Sequence, residues 1–128
     1  MRLLLDTHLL LWTVGPDERL SSEARELIGT PDNQPLFSIA SLWEAAIKRS
    51  LRRKDFQVDL RLLRRGLLDN GFEQLSITAE HTLAVAELPP LHRDPFDRML
   101  LAQSIVEGVT LLTADPVVAQ YPAPVRKV

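Results

Sequence analysis

A chain of 128 residues, 45% of them apolar, has the commonest length of a single domain and enough apolar material for one packed core. Its net charge of −2, from 15 Lys and Arg against 17 Asp and Glu, excludes a global attraction to nucleic acid or membranes, so any basic surface must be local. The absence of cysteine excludes disulfides, thiolate nucleophiles and Cys-ligated zinc or iron–sulfur sites, fits a reducing compartment, and leaves carboxylates and three His as metal ligands.

The apolar run Arg2-Leu3-Leu4-Leu5 predicts a buried first strand, and Thr7 to Val14 a short apolar helix stopped by Gly15-Pro16. Ser21 or Ser22 can cap a helix to about Ile28, with Glu23 in its first turn and Gly29 just past its end. After a turn at Pro31-Asp32-Asn33 comes a short strand at Leu36-Phe37. Ser38 then caps a helix from Ile39 to about Leu51, with Ile39, Leu42, Trp43, Ala46 and Ile47 on one face and Glu44 on its flank. Leu60, Leu63 and Leu67 mark a helix over 59–69, which Asn70-Gly71 stops before a strand-like Phe72 to Leu75.

Thr78 caps a further helix that ends at Pro89-Pro90. In His92-Arg93-Asp94-Pro95-Phe96-Asp97, Asp94 fits an N-cap, Pro95 the first helical residue and Asp97 the third, and the helix runs through Met99, Leu100 and Ala102 to Glu107 before Gly108 ends it. Val109 to Leu112 is another strand, followed by Asp115-Pro116, a helical turn near Val117 to Gln120 and a last strand near Val125. Strands alternating with helices imply an α/β domain with a mostly parallel sheet covered on both faces. The leading apolar stretch is broken by Asp6 and His8 and lacks a cleavage signal, and no run reaches the roughly 18 apolar residues of a membrane span, so one cytoplasmic domain is expected.

Asp6 directly follows the first strand and Asp115 closely follows the strand at 109–112, so both belong at the carboxyl edge of the sheet, where open α/β sheets bind ligands. Glu44 and Asp97 lie near the starts of two helices that open on the same edge. Each acid also has a plain structural explanation. Asp6 can cap the helix after it, Glu44 can pair with Lys48 four residues on, Asp97 can favour a helix dipole, and Asp115-Pro116 can be a turn. Together they mark a divalent-metal phosphodiester cleavage site, because like charges gathered at one edge need a cation to be tolerated. Hard cations such as Mg²⁺ or Mn²⁺ take oxygen ligands and leave positions open for water and phosphate, and two such ions sit about 3.5–4 Å apart.

His8, His81 and His92 show no helical metal-ligand spacing, and packing or surface roles suit them better. Thr7, His8 and Thr113 lie close enough in sequence to support the acids. No Gly-rich phosphate loop and no Gly-x-Ser-x-Gly elbow is present. From Lys48 to Arg65 eight cations (Lys48, Arg49, Arg52, Arg53, Lys54, Arg61, Arg64, Arg65) face two anions, Asp55 and Asp59, leaving −8 on the rest of the chain. Such a segment is either a solvated helix face or a rim that positions a phosphate backbone; few aromatics interleave it, so base stacking is not predicted.

The segments Leu3-Leu4-Leu5-Asp6-Thr7-His8, Ser38 to Glu44, His92 to Leu100, and Leu111-Leu112-Thr113-Ala114-Asp115 occur in the order and spacing of a known family. Across essentially its whole length the chain resembles PIN-domain proteins, specifically the VapC type of toxin from bacterial and archaeal toxin–antitoxin pairs. The resemblance implies a three-layer α/β/α fold with a central, mostly parallel sheet of four to five strands. It also implies an endoribonuclease dependent on one or two Mg²⁺ or Mn²⁺ ions, neutralised by a VapB-like antitoxin and commonly dimeric. By motif, Asp6, Glu44, Asp97 and Asp115 fall on the family's acidic quartet and Asp94 is an additional acid. Arg98 is expected to orient a carboxylate or contact phosphate, and Arg49, Arg52 and Arg53 to contact RNA. The alternatives are a metal-dependent DNA or flap nuclease, for whose duplex-gripping insertions the chain has no room, and a non-catalytic binding module, against which the intact acidic set argues.

Overall fold

A computed structural model describes residues 1–15 and 17–128. The predicted stop at Gly15-Pro16 lies partly outside them. Five parallel strands, β1 (Arg2–Leu5), β2 (Gln34–Ser38), β3 (Glu73–Leu75), β4 (Thr110–Thr113) and β5 (Val125–Lys127), form one sheet in the order β3-β2-β1-β4-β5. β1 is central, and its Leu4 pairs with Leu36 on one side and Leu111 on the other. A strand buried on both faces must be apolar at successive positions, which is why Leu3, Leu4 and Leu5 are consecutive.

Alternation along β1 splits these leucines between two cores. Leu3 and Leu5 pack with Leu9, Leu10, Leu63 and Leu67, from α1 (Thr7–Trp12) and α4 (Leu60–Asp69), and with Ala24 of α2 (Ser22–Gly29). Leu4 packs with Leu100 and Leu101 of α6 (Pro95–Glu107), alongside Val85 of α5 (Ala79–Val85). The sheet is thus sandwiched between helices in three layers, as expected. α3 (Ile39–Ser50) contributes Ala40 to one core and Leu42 to the other, so it reaches across the layers.

Local signals act at most of the predicted boundaries. Ser21, Ser38, Asp59 and Asp94 accept amide hydrogen bonds at the starts of α2, α3, α4 and α6, and Thr78 forms a reciprocal capping box with His81. Gly108 ends α6 in the left-handed conformation at φ 66°, which glycine adopts without steric penalty. Two expectations fail. α5 ends at Val85 and tightens into turns held by bonds three residues back, such as Leu88 N to Val85 O, while Arg98 takes up the carbonyls of Val85, Leu88 and Pro89. On α3 the buried face is Ala40, Ser41, Glu44 and Ala45, whereas Trp43 is 58% exposed. The apolar periodicity assigned the wrong stripe because this helix turns a polar face inward.

Candidate metal centre

The chain leaves β1, builds β2 and β3 on one side, then crosses to build β4 and β5 on the other, so the order reverses between β1 and β4. At such a switch point the connections diverge and leave a crevice at the carboxyl ends of the strands. Asp6 follows β1 there, and its amide donates to Leu112 O at 3.0 Å, continuing the ladder. Its Oδ1 accepts from the Leu9 amide at 2.9 Å, and its Oδ2 accepts from Thr113 Oγ1 at 2.6 Å. Asp6 therefore caps α1 and faces the crevice at once. Burial pushes its carboxyl above the ordinary range, against the hydrogen bonds from Thr113 and Leu9.

Glu44 enters from α3 and is only 2% exposed. Lys48 donates to its Oε2, the predicted pairing four residues along the helix, while its Oε1 is buried with no hydrogen-bond partner. A buried carboxylate oxygen without a donor is costly, and it is the kind of atom a hard cation accepts. Asp97 projects from the first turn of α6. Loss of solvent pushes its carboxyl up to about 7, aided by the charges of Asp94, Asp6 and Glu44 and opposed by His92. That field brings the acids of α1, α3 and α6 into one electrostatic group.

Asp115 joins them through His92. His92 Nε2 lies 2.9 Å from Asp97 Oδ2 and 3.5 Å from Asp115 Oδ2. Because Nδ1 accepts from the Arg93 amide at 3.0 Å, the proton sits on Nε2 and points at these carboxylates. His92, Asp97 and Asp115 offer ligand atoms within 4.8 Å of one another. The surface or packing role expected for His92 is thus corrected. A search for helical His spacing missed it, since a loop residue meets its partners without periodicity; its place five residues before Asp97 was the available signal.

The remaining predicted residues divide. Thr113 touches Asp6 directly, and its Oγ1 also accepts from the Asp115 amide at 3.0 Å, tying the two strand-end acids together. Asp94 spends Oδ1 on the Phe96 and Asp97 amides, at 2.8 and 3.1 Å, and acts on Asp97 through its charge. Thr7 donates to Ser41 Oγ at 3.0 Å, joining α1 to α3 one layer behind the acids. The expected role of Arg98 is corrected: its guanidinium donates to Pro89 O, Val85 O and the Tyr121 hydroxyl, and none of its partners is a carboxylate. It fastens the 86–91 connection, where unpaired carbonyls need donors. Tyr121 in turn accepts from the His92 amide at 2.7 Å.

Arg49, Arg52 and Arg53 are exposed at the end of α3, and Arg49 donates to Val58 O at 2.9 Å. His8 Nε2 lies 3.2 Å from Asp55 Oδ2, and the charge of His8 is a minor influence that favours the ionised Asp6. A groove of about 1020 Å³ lies between the end of α1, the α2–β2 connection and α4, and its lining, which includes Ile28, Leu62 and Phe72, contains none of the four acids. The chemistry belongs to the switch point. No described helix is long and apolar enough to cross a membrane.

The sequence profile of the PIN domain matches residues 3–124, and the chain belongs to that family. No curated protein matches it in sequence. Among solved structures it is similar to VapBC2 from Rickettsia felis bound to a promoter DNA fragment, with TM-score 0.74 and 19% identity over 99% of this chain and 98% of that one. DNA-bound VapBC from Salmonella typhimurium gives TM-score 0.68 and 14% identity over 99% and 98%. A toxin–antitoxin complex from Klebsiella pneumoniae gives 0.63 and 18% over 96% and 94%. At these identities the likeness concerns the fold.

Proposed function

We propose that residues 1–128 form one PIN domain that acts as an endoribonuclease toxin of the VapC type, with Asp6, Glu44, Asp97 and Asp115 as its metal-holding catalytic set. The observation that carries this reading is the buried Glu44 Oε1, without a partner among the described residues, in a group of acids where burial and then the neighbouring charges push Asp97 up to about 7. Such a group suits one or two Mg²⁺ or Mn²⁺ ions. When bound, the cation supplies Lewis acidity toward the phosphodiester and toward water.

The chain's residues hold and orient. Thr113 and the Leu9 amide fix the Asp6 carboxylate, Lys48 neutralises one side of Glu44, and His92 stands between Asp97 and Asp115, nearer to Asp97. Arg49, Arg52 and Arg53, exposed beyond Lys48, supply phosphate contacts that position RNA without reading its sequence. The toxin–antitoxin complexes among the structural relatives support a VapB-like antitoxin as partner. Exposed Leu83 on α5 with Ile105 and Val106 on α6 support pairing with a second copy, and the expected location is the cytoplasm.

The test is to map new RNA 5′ ends after brief induction of the wild-type chain and of Asp97→Asn. Discrete ends with the wild type alone are expected; identical maps would overturn the proposal.

A further inference from the structure

Trp43 is 58% exposed beside the buried Glu44 and Ala45, and among the described residues its aromatic contact is Phe96, at 5.1 Å between centroids and 78° between planes. An edge-to-face pair leaves ring face uncovered, unlike a stack. Trp43 immediately precedes Glu44 on α3, and Phe96 immediately precedes Asp97 on α6. The ring pair therefore bridges α3 and α6, the two helices that carry these acids, on the solvent side of the buried Glu44. Phe96 is fixed there because its amide is held by the Asp94 cap. The basic end of the same helix α3 lies further along, at Arg49, Arg52 and Arg53.

We infer that Trp43, supported by Phe96, is a stacking platform for the nucleobase next to the bound phosphate, a positioning residue for the substrate outside the acidic set. This rests on the acids being a nuclease centre. A large exposed indole with no cover in the protein is an apolar surface awaiting a partner, and the surroundings specify which one. Phosphates are drawn to the basic end of α3 and to the centre, and the flanking base then reaches an aromatic face. Every base has a π-face, so this contact tolerates sequence; bases inside a duplex are already stacked and cannot make it.

The experiment uses Trp12→Phe/Asp97→Asn, in which Trp43 is the sole indole of the two in the chain and cleavage is removed. It is titrated with a mixed-sequence single-stranded oligoribonucleotide and with the same strand annealed to its complement. Quenching of Trp43 fluorescence by the single strand and not by the duplex is expected. Trp43→Ala should weaken single-strand binding about tenfold and raise KM for cleavage in the otherwise wild-type chain, while Trp43→Phe retains most of the affinity. Equal quenching by duplex, or unchanged affinity and KM in Trp43→Ala, overturns the platform; the latter result assigns the rings to a protein partner. Persistent cleavage by Asp97→Asn would instead overturn the nuclease reading.

Discussion

His81 and Glu44 are buried to the same degree, at 0% and 2% exposed, yet one sits in a balanced site and the other does not. His81 Nδ1 accepts from the Thr78 amide at 3.1 Å, and Nε2 lies 2.9 Å from Glu107 Oε2. Both ring nitrogens are satisfied, and the one unpartnered atom nearby, Gln103 Oε1, is neutral. Glu44 has Lys48 on Oε2 only; its Oε1 has no hydrogen-bond partner among the described residues, and its charge adds to those of Asp6 and Asp94 on Asp97. Complementary burial builds a joint between α5 and α6. Like-charge burial destabilises the protein alone and is tolerated where a cation completes it.

The sharpest way to separate the two clusters is Asp97→Asn. Cleavage should fall by at least about a hundredfold, since a ligand is lost where supporting residues alone are worth about 10–100-fold. The metal-free variant should nevertheless melt above the wild type near pH 8, because one repelling charge is gone. A lower midpoint would show that the acids are not in conflict. His81→Ala should do the opposite, lowering stability by about 2–3 kcal/mol through the lost cap and the stranded Glu107, with activity per folded molecule unchanged. Denaturant unfolding alongside cleavage assays checks both halves.

Thr113→Val keeps volume but removes the donor to Asp6, and cleavage should drop by about tenfold with little change in melting. The smallest effect is in pH dependence. With Asp97 raised from 3.8 to about 7 in the folded state, its contribution to stability is complete below the unfolded value and is lost as pH rises through about 7. The metal-free melting midpoint should therefore decline between about pH 5 and pH 8, and Asp97→Asn should flatten that decline. A wild-type curve that rises over this range would contradict the cause assigned to the shift.

The sequence shows what neighbours in the chain decide. Ser38, Thr78 and Asp94 cap the predicted helices because a cap needs only the next three residues, and the leucines of β1 read as a buried strand because both faces are covered. The strand-end acids were legible for the same reason. Long-range geometry was not: the reversal between β1 and β4 depends on the whole topology, and His92 meets Asp115 across 23 positions. Trp43 was misplaced because an indole counts as apolar in any periodicity, whereas Ser41 and Glu44 occupy the inward face beside it.

Calorimetric titration of Mn²⁺ into the wild-type chain and into Asp97→Asn at pH 7.5 addresses the like-charge cluster most directly. Saturable binding to the wild type, weakened at least about tenfold in the variant, is the expected result. No binding to the wild type, or equal binding to both, would contradict a cation site built from these acids.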